Sequence, residues 1–236
     1  MIELNKISHN YKNKEVFYDF TLNMESGKLT CLLGDSGSGK TTILRLLAGL
    51  ETPTKGSIVI ENKLVTSDNN INIEANKRNI GFIFQDLALW PHFTVYKNIA
   101  FGLQEQKAEN IKQTVTNILT QFGIEEQINK YPHQLSGGQK QLVAIARSLV
   151  IKPNILLMDE PLSNLDVKLK HKLLEHIKTI KQQHDLTVVY VTHDHREAFE
   201  IADNIVVLNN GKIEDSGSVE HIKSSENEYV KYFLEY

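Results

Sequence analysis

The sequence predicts an α/β fold, a sheet with flanking helices interrupted by an inserted α-helical subdomain. Three observations lead there. Short continuous apolar runs, at Leu29–Leu33, 155–158 and 187–191, have the unbroken hydrophobicity of strands buried on both faces. Helical spacing follows the first of them, at Ile43, Leu44, Leu46, Leu47 and Leu50, and fills most of 167–184. Between Asp86 and about Lys152 the pattern is helical throughout. With 236 residues the chain is long enough for one large α/β domain, or for a core carrying a smaller inserted one.

Taken in order, residues 2–24 carry alternating runs broken at 10–15, which read as two strands and a connecting loop. Leu29–Leu33 is a strand ending at Gly34, and a helix follows from Gly39. Residues 57–65 and 79–84 read as further strands, and the polar stretch 66–77 between them as a solvated loop or hairpin tip. Helices are expected over 95–103, 108–122 and 139–150, with Tyr131-Pro132 as a break. Strands return at 155–158 and 187–191 around a helix at 167–184. The chain closes on a strand at 205–208, a turn at 209–211 and a short aromatic tail. This organisation reads as a single domain over 1–236, in which 1–85 and 153–236 form the core and 86–152 the helical subdomain.

Composition narrows the classes. Hydrophobic residues at 41% and charged residues at 23% are those of an ordinary soluble globular chain. A net charge of -3 gives no pull toward a phosphodiester backbone, so nucleic acid is not expected as a partner. Cys31, the only cysteine, lies inside an apolar strand, where it reads as a small core residue; no internal disulfide is possible, which fits a reducing cytoplasm. The N-terminus lacks a basic-then-apolar signal pattern, and no stretch approaches the roughly 18 apolar residues of a spanning helix, so the chain is not expected to cross a membrane alone.

Gly34-Asp35-Ser36-Gly37-Ser38-Gly39-Lys40-Thr41, with Thr42 next, matches G-x-x-x-x-G-K-[ST] between an expected strand and an expected helix. Glycines let the backbone turn so that successive N–H groups point inward at a helix N-terminus and meet phosphate oxygens. Lys40 would reach the β- and γ-phosphates of a nucleoside triphosphate, and the Thr41 hydroxyl would ligate magnesium. By chance the bare pattern should arise in about one random chain of this length in a hundred. ATP with Mg2+ is the expected ligand.

Asp159 and Glu160 follow the run 155–158, at the strand's carboxyl end, where open α/β sheets place their ligands. Taken alone, such a pair is more often a surface turn. Beside a phosphate loop, Asp159 reads as the magnesium-side acid and Glu160 as the residue that polarises the attacking water. Gln85 and His193 end two other expected strands and are placed to reach the γ-phosphate side, Gln85 also as a magnesium ligand. A lone Gln or His at such a place is usually structural.

Leu135-Ser136-Gly137-Gly138-Gln139 completes a set of motifs, with the phosphate loop, Gln85, Asp159-Glu160, Ser163-Asn164-Leu165-Asp166 and His193, that resembles the nucleotide-binding subunits of ABC transporters over essentially the whole chain. The resemblance implies a P-loop NTPase core, a RecA-like mixed sheet with flanking helices and an antiparallel β subdomain. It implies that Tyr11 stacks on adenine; the alternative is a loop aromatic packed on the core. It also implies a head-to-tail dimer in which Ser136, Gly137, Gly138 and Gln139 of one subunit contact the nucleotide of the other, with Asp166 at the interface. One phosphate loop and one signature per chain call for a second copy or a close paralogue.

The apolar stretch Leu87-Ala88-Leu89-Trp90-Pro91-His92-Phe93 reads either as a cap on the helical subdomain or, through the resemblance, as the surface that meets transmembrane permease subunits. Its wording, with Asn98-Ile99-Ala100-Phe101-Gly102-Leu103, looks most like import ATPases for ferric iron, other small ions, polyamines or sugars. That implies a peripheral place on the cytoplasmic face of the inner membrane and a solute-binding protein in the complex. An exporter ATPase, a non-transport ABC ATPase and an ATP-binding module without turnover are the alternatives. Two departures stand out. Such relatives often carry a further C-terminal regulatory domain of about a hundred residues, and with the sequence ending at Tyr236 regulation through one is put in question. Leu142 stands where relatives usually have Arg.

Overall fold

A hairpin of two long strands, β1 (Ile2–Tyr11) and β2 (Lys14–Met24), opens the chain, burying Ile2, Leu4 and Ile7 from one and Phe17, Phe20, Leu22 and Met24 from the other. The alternation is that of a sheet with one wet face. The computed structural model describes every residue except Asn13, Asn164 and Tyr236, and of His184 the backbone alone. Asn164 of the segment 163–166, and Tyr236 at the end of the tail, therefore lie outside the described residues.

β4 (Lys55–Ile60), β5 (Lys63–Ser67) and β6 (Asn70–Ile71) complete an antiparallel sheet in the order β2-β1-β4-β5-β6. Two-residue hairpin turns join them, with Glu61 and Asn62 at φ 50° and 62° and Asp68 and Asn69 at 39° and 61°. Such turns need positive φ at both central positions to match the twist of the strands. The single strand expected over 57–65 is thus two strands folded at Glu61-Asn62. The stretch 66–77 contains a hairpin tip, as one of its two readings had it, and a short 3-10 turn at Ala75–Lys77.

The second sheet runs β11-β10-β3-β9-β8-β7: β3 (Leu29–Leu33), β7 (Ile80–Ile83), β8 (Ile155–Asp159), β9 (Thr187–Thr192) and β10 (Asn204–Asn209) are parallel, and β11 (Lys212–Gly217) adds an antiparallel edge. β3, β8 and β9 are buried at every position, which accounts for their unbroken apolar runs. Helix α1 (Lys40–Ala48) lies between the sheets. Its Ile43, Leu44, Leu46 and Leu47 share one core with Leu4 and Ile7 of the first sheet and Leu32, Leu157 and Val189 of the second.

The other face of the parallel sheet, including Cys31, Met158 and Tyr190, packs into a second core with α2 (Val95–Glu105), α3 (Ile111–Gln121), α4 (Gly137–Leu149), α5 (Val167–His184) and α6 (His195–Ile201). Cys31 is a buried free thiol, the core residue its position suggests. The inserted helices α2 to α4 fall between β7 and β8 in the chain. α3 begins at Ile111 rather than 108 and α4 at Gly137 rather than Gln139. The tail after the 209–211 turn is more structured than expected: it forms β11, α7 (Val219–Lys223) and α8 (Glu228–Glu235). α6 and α7 were also beyond sequence reading, because a helix of one or two turns shows no apolar period. Among the described residues no helix is long and apolar enough to cross a membrane.

Because β3, β7, β8 and β9 are parallel, their carboxyl ends share one rim of the sheet, and the loops leaving that rim converge.

Candidate active site

The loop after β3 is shaped by crowding. At Gly34, φ 148°, a Cβ would stand 2.1 Å from the carbonyl oxygen of Leu208; at Gly39, φ 106°, it would stand 2.5 Å from Phe17 Cζ. No side chain fits at either point. α1 begins at Lys40 with no side-chain cap from Gly39, so its first turn offers N–H groups and the positive end of the helix dipole to an anion. Lys40, only 4% exposed, donates from Nζ to the carbonyls of Gly34 and Asp35, both at 2.7 Å, and to Ser38 Oγ at 3.4 Å. Burial lowers its pKa, against the opposing pull of Glu160, Asp35 and Asp159.

Thr41 Oγ1 donates to Asp159 Oδ1 at 2.9 Å. Burial raises the Asp159 pKa, and Glu160 adds to it, while the Thr41 bond and the charges of Arg45 and Lys40 work the other way. Glu160 follows at φ 42°, a left-handed conformation that is strained for a residue with a side chain, and its N–H is fixed on the Val191 carbonyl at 3.0 Å. That turn aims its carboxylate at two partners from other strand ends. Gln85 Nε2 donates to Glu160 Oε2 at 3.4 Å, and His193 Nδ1 stands 3.1 Å from the same oxygen. Three residues that the sequence placed at three strand ends therefore meet.

A cleft of about 530 Å³ is lined by Tyr11, Ser36, Gly37, Gly39, Lys40, Thr41 and Thr42 together with Gln85, Glu160 and His193. Tyr11 is the last residue of β1, paired with Lys14, rather than a loop residue. At 41% exposed it is not packed on the core; its hydroxyl donates to the Glu51 carboxylate and lies 3.5 Å from Thr42 Oγ1. Its pKa is raised, by burial first and by Glu51 next. Asp159 faces a neighbouring hollow with Thr41, Arg45 and Gln85. Gly34, Asp35 and Ser38 do not line the cleft, although they shape its floor through Lys40.

Among the described residues no three His, Cys, Asp or Glu side chains form a metal cluster. Thr41, Asp159 and Gln85 are the protein oxygens at hand, a small set of hard donors that suits magnesium completed by phosphate and water. The uncrowdable turns at Gly34 and Gly39 and the buried Lys40 suit a polyphosphate.

Ser136, Gly137, Gly138 and Gln139 are not in this cleft. Ser136 caps α4: its Oγ accepts from Gln139 N at 3.3 Å, and Gln139 Oε1 accepts from Ser136 N at 2.9 Å. Both glycines lie in the first turn, where a Cβ on Gly138 would stand 2.7 Å from Leu169 Cδ2. Ser136 and Gly137 are exposed.

Two features escaped sequence reading. Arg147 of α4 donates from Nη1 to the Ala88 carbonyl at 2.6 Å and from Nη2 to that of Leu87 at 2.7 Å, with its guanidinium 5.3 Å from the centre of the Trp90 ring. Leu87 and Ala88 are themselves at positive φ, 63° and 42°. Asn98, fully buried, donates to the carbonyls of Trp90, Phe93 and Thr94 and accepts from Trp90 N. A basic residue on an otherwise apolar helix face was the one available signal. Leu142, the departure noted above, is partly buried against the helical core.

The model of the ABC transporter family matches residues 17–163 of this chain. The chain belongs to the ABC transporter family. As an ATP-binding cassette it is similar to the spermidine/putrescine import ATP-binding protein PotA of Haemophilus influenzae, 43% identical over 99% of this chain and 62% of the relative. It is similar also to the sulfate/thiosulfate import ATP-binding protein CysA of Pseudomonas aeruginosa, 42% identical over 99% of this chain and 71% of that one. The cassette spans 62% of the length of the PotA relative. Among solved structures it resembles the dimeric post-hydrolysis state of an ATP-binding cassette bound to ADP and Pi, with a TM-score of 0.83 and 31% identity over 93% of this chain and 99% of that one. It also resembles cbiO1 from Clostridium perfringens, part of the ABC transporter complex cbiONQ, with a TM-score of 0.85 and 28% identity over 99% of this chain and 94% of that one.

Proposed function

We propose that this ABC cassette binds and hydrolyses ATP to power an importer whose solute path lies in separate permease subunits. The observation that carries the reading is the single cleft shared by Lys40 and Thr41 with Gln85, Glu160 and His193, while Ser136–Gln139 stand outside it. A site with a phosphate cradle but no lid of its own is completed by another molecule. A second copy or a paralogue, packed head to tail, would bring its exposed Ser136 and the N-terminus of its α4 over the nucleotide. The relative solved as a dimer with ADP and Pi supports that arrangement.

In this account Tyr11 offers an exposed ring to the adenine, the loop amides and Lys40 hold the phosphates, and Thr41, Asp159 and Gln85 hold magnesium. The metal, when bound, neutralises charge on the phosphates. Glu160 accepts a hydrogen bond from the attacking water, and His193 and Gln85 fix its carboxylate. Little covalent chemistry is asked of the protein; positioning does the work. The aromatic group of half-buried Trp90 and Phe93 with exposed Phe101, ring centres 4.8 to 6.4 Å apart, is the proposed seat of the permease on the cytoplasmic face of the membrane. The matched importers carry polyamines or sulfate and thiosulfate by name, which supports a small charged cargo and gives no support to ferric iron in particular. Delivery by a solute-binding protein belongs to the same proposal and has no support in those names.

Magnesium-dependent phosphate release from ATP, with Lys40→Ala as the control, tests the activity. Release that is lost in Lys40→Ala is expected; no release, or equal release from the variant, would overturn the reading.

A further inference from the structure

Tyr229, in the first turn of α8, donates its hydroxyl proton to Asp35 Oδ2 at 2.8 Å. Asp35 is the second residue of the phosphate loop, and its own carbonyl accepts from Lys40 Nζ at 2.7 Å and from Ser38 N at 3.2 Å. One residue thus joins the C-terminal helix to the lysine of the cradle. The tether springs from a fixed base. Asn227 Oδ1 accepts from the N–H groups of Tyr229 and Val230, at 2.9 and 3.1 Å, and Asn227 Nδ2 donates to the Glu214 carbonyl on β11 at 3.1 Å. Val230 is fully buried in the helical core. The phenol stays in its proton-donating form, because burial and then the Asp35 carboxylate push its pKa up to about 12.

Asp35 is the only acidic residue within the loop motif, in a segment whose other groups converge on a polyanion. A carboxylate free to swing toward the phosphates would repel them, and little dielectric screening is available beside a buried lysine. Its side chain instead lies outside the nucleotide cleft, on the wall of a neighbouring cavity that it shares with Tyr232 and Phe233 of α8. We propose that Tyr229 is a positioning residue for the phosphate loop: its hydroxyl holds the Asp35 carboxylate on the α8 side and steadies the carbonyl against which Lys40 is placed. The position of α8 is thereby coupled to nucleotide affinity. This rests on the reading of Gly34 to Thr42 as the ATP phosphate site.

The test measures KM for ATP, kcat, and equilibrium binding of a fluorescent ATP analogue in the wild type, Tyr229→Phe, Asp35→Asn, the double variant and Lys40→Ala. Tyr229→Phe keeps the ring and loses only the hydroxyl, so a melting curve like that of the wild type is expected. Its KM and analogue Kd should rise about three- to tenfold, with kcat within about twofold, as for one lost hydrogen bond of ordinary strength felt in binding through Asp35. In the Asp35→Asn background the same change should add less than about twofold, because the charge that Tyr229 restrains is gone. A Tyr229→Phe protein with wild-type KM and Kd, or one whose defect is as large without the Asp35 charge, overturns the proposal. If Lys40→Ala binds the analogue as tightly as the wild type, it is the phosphate-site reading that falls. If Lys40→Ala loses binding and Tyr229→Phe does not, the Tyr229 assignment alone falls.

Discussion

Thr41 Oγ1 and Asp159 Oδ1 meet at 2.9 Å, joining the helix after the phosphate loop to the end of β8. Asp159 is buried, and its pKa is raised by that burial. A carboxyl whose folded value lies above its unfolded value contributes stability below the unfolded pKa and loses it as pH rises through the folded one. Near neutral pH the ionised side chain is therefore a cost, relieved when a cation is bound beside it. Asp159→Asn should melt no lower than the wild type without nucleotide, and higher by about 2–4 °C for each kcal/mol relieved. It should lose most of the stabilisation that magnesium and ATP give the wild type. Melting curves with and without the ligands check both signs.

His193 and Glu160 face each other at 3.1 Å, and His193 is exposed on the open side of the cleft. His193→Ala removes an orienting partner and leaves the phosphate cradle intact. Turnover should fall about a hundredfold, within the range for a positioned acid–base group, while analogue binding stays within about threefold. Single-turnover hydrolysis alongside equilibrium binding separates the two.

Arg147 bonds two carbonyls whose residues are both at positive φ through the planar fork of its guanidinium. Lysine cannot replace it, since its ammonium has no matching geometry and stacks less well on Trp90. Arg147→Lys should destabilise the fold by about 1–3 kcal/mol, the scale of a charged hydrogen bond lost in a partly buried setting. Urea denaturation reads this directly.

How much of this was legible depends on how local each signal is. The phosphate loop is written in consecutive residues with a strand before and a helix after, so its place needed no tertiary knowledge. Gln85, Glu160 and His193 could be placed at strand ends, but their meeting on Glu160 Oε2 depends on the strand order β3-β9-β8-β7, which no periodicity encodes. The Glu61-Asn62 turn was missed because it carries no glycine, though both residues take positive φ. Arg147 and Tyr229 act on groups 59 and 194 residues away, where a single sequence gives no pairing signal. Tyr229 in particular lay within what read only as a short aromatic tail.

Trp90 and Phe93 pack on each other at 5.6 Å and leave Phe101 38% exposed beside them. A charge placed here should disturb a docking surface without touching the cleft. Phe93→Asp is expected to abolish transport in reconstituted vesicles while analogue binding by the free cassette remains within about twofold. Unchanged transport would remove this face from the account.

As proposed, the cleft is half a site, completed by the Ser136 end of α4 from a second molecule. Light scattering of Glu160→Gln with ATP and magnesium tests it most directly, because the variant keeps the cradle and loses the carboxylate that assists hydrolysis. A mass twice that of the chain is expected with ATP, and the monomer mass when Ser136→Arg is added. A monomer at saturating ATP, or a dimer indifferent to ATP and to Ser136→Arg, would contradict it.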